Sequence, residues 1–179
     1  DNDSGIPMDN ANHGTLVAGI IASENSNKRG MAPNARLVAM RVCDSSGSIC
    51  PLAFITSALQ YCYNNRNIYN ISAVSISLGD GGEYAESNCP TTSRTEINDL
   101  YSVGIPVIAA SGNEAHTNGI SWPACRGNVT SVGAVYDDNI GSYNAGVCTD
   151  STTQADKLAC FTNRKVGTLD LLAPGGKIK

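Results

Sequence analysis

The chain has 179 residues, 41% of them hydrophobic and 16% charged, enough apolar side chains for one buried core, with no repeat or low-complexity tract. Its net charge of -4, with lysines and arginines scattered along the sequence, argues against a nucleic-acid partner. No apolar run approaches the roughly 18 residues of a membrane span, and seven cysteines without Cys-x-x-Cys spacing favour an oxidising, extracellular setting.

Residues 1–12 are loop-forming, rich in Asp, Asn, Ser, Gly and Pro. A first helix is expected over residues 13–23, where Gly14, Ala18 and Gly19 would let it lie close against a sheet and His13 sits in the first turn. Alone, such a histidine is more often structural than catalytic. Residues 36–43, with Leu37, Val38, Met40 and Val42, read as a strand closed by the polar turn at 44–48. Pro51 suits the first turn of a helix over 51–65, in which Leu52, Ile55, Leu59 and Cys62 recur at three and four residues. A strand over 71–78 with apolar residues on both faces fits a sheet covered on both sides. A loop at 79–92 leads into a helix over 93–103 capped by Gly104, and strands follow at 107–110, 129–135 and 168–172. Alternating strands and helices predict an α/β fold: a doubly wound, three-layer sandwich around a mainly parallel sheet.

Three stretches then stand out together: His13-Gly14-Thr15 followed by Val17-Ala18-Gly19, then Ser77-Leu78-Gly79, then Ala110-Ser111-Gly112-Asn113. With Ala32-Pro33 and Leu172-Ala173-Pro174-Gly175 in register with them, the chain resembles the subtilisin-like serine peptidases over nearly its whole length. The resemblance implies a serine endopeptidase with an Asp-His-Ser triad. It implies that His13 is the general base and that Asn113 donates its side-chain amide to the oxyanion. Leu16, where a histidine often stands, is an ordinary variation. Ser77, Leu78 and Gly79 would pair with the substrate as an added strand, and Ala110, Ser111 and Gly112 would border the pocket for the residue before the cut.

The same resemblance exposes what these residues do not contain. Asp3-Ser4-Gly5 imitates the family's aspartate motif, but only nine residues separate Asp3 from His13, too few for the strand and long loop the family places there. The family's nucleophile lies in a Gly-Thr-Ser-Met-Ala stretch that does not occur here. The expectation is therefore a partial catalytic domain over residues 1–179, inactive alone, with the aspartate upstream of residue 1 and the serine downstream of residue 179. A start at Asp1 without methionine fits a processed or excised piece.

The remaining features carry weaker readings. Asn25, Asn27, Asp137 and Asp138 are hard oxygen donors in loops, but solvated turns explain them, so no metal is assigned, a structural calcium is left unplaced, and catalysis needs no cofactor. His116 reads as a surface or pocket-rim residue. Cys43 with Cys50, and Cys148 with Cys160, are each spaced to staple a loop, although connectivity is not readable from sequence and an odd count leaves at least one cysteine over. The sequons Asn70-Ile71-Ser72 and Asn128-Val129-Thr130 each lead straight into a strand and read as chance. The expected partner is a peptide or protein substrate, with no nucleic acid or membrane, acted on by a secreted monomer. Two rivals stand beside this reading. One is an inactive homologue that binds peptides along Ser77-Leu78-Gly79. The other is a flavodoxin-like or nucleotide-binding domain, disfavoured because no strand leads into a Gly-x-Gly-x-x-Gly or phosphate loop.

Overall fold

A computed structural model describes residues 9–176, so Asp3 and the residues around it lie outside the described part. The chain divides at Asn70/Ile71 into two compact units.

The first unit holds α1 (His13–Ala22) and α2 (Leu52–Tyr69). The Asp9 carboxylate opens α1 by accepting from the Thr15 N–H at 2.6 Å and the Ala11 N–H at 3.2 Å, satisfying donors that a helix start leaves unpaired. Ile55, Leu59 and Cys62 of α2 are buried, as their spacing predicts, whereas Leu52 stays exposed. The helix runs past the expected end at residue 65 and stops at Asn70 in the left-handed region, φ 52°, with the Asn70 N–H returned to the Arg66 carbonyl.

The strand expected over 36–43 does not form. The segment has no ladder partner among the described residues, and Leu37 and Val38 are exposed. Apolar composition without a hydrogen-bonding neighbour does not make a strand. Cys43–Cys50 is a disulfide across the following turn, where Asp44 accepts from the Ser46 hydroxyl at 2.8 Å. Cys62 is the one cysteine outside a disulfide.

The second unit is built on four strands, β1 (Val74–Ile76), β2 (Val107–Ala110), β3 (Val129–Tyr136) and β4 (Leu171–Gly176). They form one parallel sheet in the order β1-β2-β3-β4. A short antiparallel hairpin of Tyr143–Asn144 with Thr149–Asp150 lies between β3 and β4 in the chain and outside their sheet. The α/β class and the parallel sheet match the expectation, and β2 keeps its expected bounds. β1 is shorter than the expected 71–78, and β4 is shifted from 168–172 to Leu171–Gly176. Helix α3 (Arg94–Ser102) packs on β2 through a face that buries Ile97 and Leu100, and the core of the unit also takes in Val107, Ala109, Ile120 and Trp122.

Gly104 ends α3 as predicted. Its N–H bonds to the Tyr101 carbonyl and the Ile105 N–H to the Leu100 carbonyl, both at 3.0 Å, which is the double closure of a Schellman motif. Two disulfides fix loops in this unit. Cys148–Cys160 is one of the pairs the spacing suggested, and Cys89–Cys125 joins loops 36 residues apart with no local signal to announce it.

Candidate active site

In an open parallel sheet, ligand-binding loops gather beyond the carboxyl ends of the strands. Here the register Ile76↔Ala109 sets the ends of β1 and β2 side by side, so Ser77-Leu78-Gly79 and Ala110-Ser111-Gly112 leave the sheet as neighbours. β1 is the outer strand of this sheet. The segment after β1 is tied down at once: the Asp80 N–H bonds to the Trp122 carbonyl at 3.2 Å, and the Trp122 N–H returns to the Asp80 carboxylate at 3.1 Å. The Ser121 N–H closes the set on the Ser111 carbonyl at 2.8 Å.

Ser111 is buried, its N–H bonded to the Val132 carbonyl and its hydroxyl 3.2 Å from that of Thr162. Gly112 takes φ 109°. Asn113 is exposed at the head of the turn, and its N–H bonds to the Glu114 carboxylate at 2.9 Å. Behind it lies Asn163, fully buried and marked by no motif. Its Oδ1 accepts from the Glu114 and His116 N–H groups, both at 3.0 Å, and its Nδ2 donates to Glu114 at 2.6 Å and to the Ser121 hydroxyl at 3.0 Å. The only route to it would have been the pairing of distant polar residues, which spacing along the chain does not report.

His116 is half-buried and faces the loop after β1, with Nε2 3.1 Å from the Gly81 carbonyl and Nδ1 3.8 Å from Glu83. It joins the loop after β2 to the loop after β1. His13 opens α1 and is exposed. It belongs to the first unit and the Asn113 cluster to the second.

Two of the four calcium candidates, Asn25 and Asp138, serve their own turns. Asn25 Oδ1 accepts from the Asn27 and Lys28 N–H groups, and Asp138 accepts from the Asn139 N–H. Among the described residues no three His, Cys, Asp or Glu side chains gather as a metal site, and no helix is long and apolar enough to cross a membrane.

Fold and site together define an α/β protein that collects a braced, polar pair of loops at the carboxyl edge of a parallel sheet. Residues 1–178 match the model of the subtilase family (Peptidase_S8), and the chain belongs to that family. It is 36% identical over 174 residues to the Thermophilic serine proteinase of Bacillus sp. (strain AK1), covering 94% of this chain and 35% of that one. It is 34% identical over 178 residues to Subtilisin NAT of Bacillus subtilis subsp. natto, covering 96% and 39%. With the Extracellular protease of Xanthomonas campestris pv. campestris the figures are 31% over 185 residues, 98% and 28%. The chain thus spans between about a quarter and two-fifths of the length of these relatives. Among solved structures, the S41 Psychrophilic Protease aligns with a TM-score of 0.66 at 22% identity, over 89% of this chain and 50% of that one. Sphericase aligns with a TM-score of 0.65 at 22% identity, over 88% and 50%. These likenesses make the fold subtilisin-like.

Proposed function

We propose that the protein carrying this chain is a secreted serine endopeptidase, active as a monomer on peptide or protein substrates and needing no cofactor for the chemistry. The observation that carries the reading is the paired exit of residues 77–79 and 110–113 from adjacent parallel strands, with Asn113 at the head of a braced turn. In this reading residues 1–179 are part of a catalytic domain whose aspartate and nucleophilic serine lie outside them.

The roles follow from the chemistry of acyl transfer. An extended substrate lies along the backbone of Ser77, Leu78 and Gly79, while Ala110, Ser111 and Gly112 border the pocket for the side chain before the cut. His13 takes the proton of the serine hydroxyl and later returns it to the leaving amine, as a general base and then a general acid. Negative charge then develops on the carbonyl oxygen of the tetrahedral intermediate, and the Asn113 amide donates to it. Because that charge exists only near the transition state, the donor acts on kcat far more than on KM. The relatives include a serine proteinase and an extracellular protease, which agrees with this reading, as do three disulfides, which persist outside the reducing cytosol.

In the full-length protein, Asn113→Ala is expected to lower kcat for a peptide substrate by about 10²–10³, the range known for loss of this donor in a subtilisin, with KM little changed. The thermal midpoint should stay at the wild-type value. Full kcat in a stable Asn113→Ala protein would overturn the assignment of Asn113. A full-length protein that binds peptides but hydrolyses none would instead be a binding module.

A further inference from the structure

Asn163 is a buried polar side chain whose oxygen and nitrogen are both fully engaged. It lies 50 residues after Asn113 in the chain, yet its partners belong to the loop that Asn113 heads. Those partners dictate its orientation. Two backbone N–H groups, of Glu114 and His116, face Oδ1, and a carboxylate faces Nδ2, so a flipped amide would set donor against donor and acceptor against acceptor. The Asn163 backbone also joins the bracing, its N–H bonded to the Gly112 carbonyl at 3.0 Å.

The connection runs on to Asn113. The Glu114 oxygen that accepts from Asn163 Nδ2 is the same Oε2 that accepts from the Asn113 N–H at 2.9 Å. It also lies 3.3 Å from the Ser121 hydroxyl, which Asn163 Nδ2 reaches at 3.0 Å. Asn113 itself is exposed, so packing does not hold its backbone. What holds it is a hydrogen-bonded relay from Asn163 through Glu114. A charged acceptor gives stronger hydrogen bonds than a neutral one, and here two of its donors, Asn163 Nδ2 and the Ser121 hydroxyl, belong to buried residues while Glu114 itself is exposed.

We propose that Asn163 is the positioning residue of the oxyanion hole: through Glu114 and Ser121 it fixes the Asn113 backbone, and with it the direction in which the Asn113 amide points. It touches no substrate and acts through Asn113 alone. A donor must lie close to the place where the oxyanion forms, and catalytic groups lose their effect when the residues supporting them are loosened. The inference rests on the reading of Asn113 as the oxyanion donor.

The test is Asn163→Asp in the full-length protein. Asp keeps the shape and the oxygen that accepts from the Glu114 and His116 N–H groups, but it replaces the Nδ2 donor with a second acceptor aimed at the Glu114 carboxylate. Expected is a fall in kcat of about tenfold or more with KM within about twofold, because positioning for the transition state is lost while ground-state contacts remain. A purely structural role would lower the thermal midpoint without this split between kcat and KM. Unchanged kcat in Asn163→Asp, or a rise in KM as large as the fall in kcat, would overturn the proposal. Should Asn163→Asp fail to fold, Ser121→Ala is read in its place: it removes one acceptor of Nδ2, and lowered kcat at constant KM supports the relay whereas unchanged kcat refutes it. Asn113→Ala measured alongside separates the two readings. If Asn113→Ala keeps full kcat, the oxyanion assignment itself fails; if it loses kcat while Asn163→Asp does not, only the positioning role fails.

Discussion

Gly112 is the residue on which the turn before Asn113 depends. At φ 109° an L side chain is strained, and a Cβ there would meet Asn163 Nδ2, Ser121 Oγ and the Glu114 carboxylate. Gly112→Ala is therefore expected to destabilise the protein by about 2–4 kcal/mol, from backbone strain and overpacking combined, and to lower kcat as well. Denaturant unfolding with a parallel kcat measurement checks it; a neutral Gly112→Ala would mean the turn is looser than its hydrogen bonds imply. Residues of this kind were legible in the sequence because a Gly-Asn pair after an apolar run is a local pattern. Asn163 was not, since nothing within the Phe161-Thr162-Asn163 stretch tells that its side-chain partners lie 42 to 49 residues earlier. Cys89 and Cys125 illustrate the same limit, while Cys43 with Cys50, and Cys148 with Cys160, close short loops whose spacing is visible in the chain.

Helices were easier to read than strands because a helix satisfies its backbone within its own segment. α1, α2 and α3 all form near their expected bounds, the buried stripe of α2 follows its spacing, and Gly104 closes α3. A strand depends on a neighbour that local sequence does not contain. Residues 36–43 had the composition of a strand and no ladder to join. The final strand runs on through Pro174 and two glycines, residues that disfavour a central strand, and is tolerated there because β4 is the edge of the sheet among the described residues and pairs with β3 alone, where a missing N–H costs little. The prediction that belongs to this scale concerns the end of α3. Gly104→Ala, at φ 77° in open space, keeps the Schellman closure but imposes left-handed strain, and should cost about 1–2 kcal/mol. Its effect on kcat should be nil, because α3 ends at the opposite end of β2 from Ala110; chemical denaturation and kinetics on one variant measure both, and a loss of kcat without loss of stability would contradict the separation of scaffold and site.

Across the whole molecule, pH sets limits that follow from particular groups in each unit. Hydrogen bonding from Thr15 holds the Asp9 carboxyl below its ordinary range at the start of α1, and the Ser46 hydroxyl does so first among the partners of Asp44. In the second unit burial pushes the Asp150 carboxyl up, but Lys157 at 2.9 Å, the Cys160 N–H and the Tyr136 hydroxyl, both at 2.8 Å, outweigh it and leave the carboxyl lowered. Burial, then the Asp150 carboxylate, raise the Tyr136 phenol above its usual value, and burial raises the Cys62 thiol. The signs are opposite at the two ends of the scale. A carboxyl whose folded pKa is depressed contributes stability that is complete above the unfolded value of about 4 and is lost as pH falls through the folded one. A phenol or thiol whose folded pKa is raised contributes below its unfolded value, about 10 for Tyr and 8.5 for Cys, and that stability declines as pH rises beyond it. Stability should accordingly be flat from about pH 5 to 8 and fall on both sides. The acid limb has a local reporter in the Cys160 N–H, which donates to Asp150. Its hydrogen-exchange protection factor should drop as pH is lowered from about 5 toward 2 in the wild type, and should lose that dependence in Asp150→Asn. A protection factor that stays constant with pH in the wild type would mean that the bond does not depend on an ionised Asp150, and the acid limit would have to come from other groups.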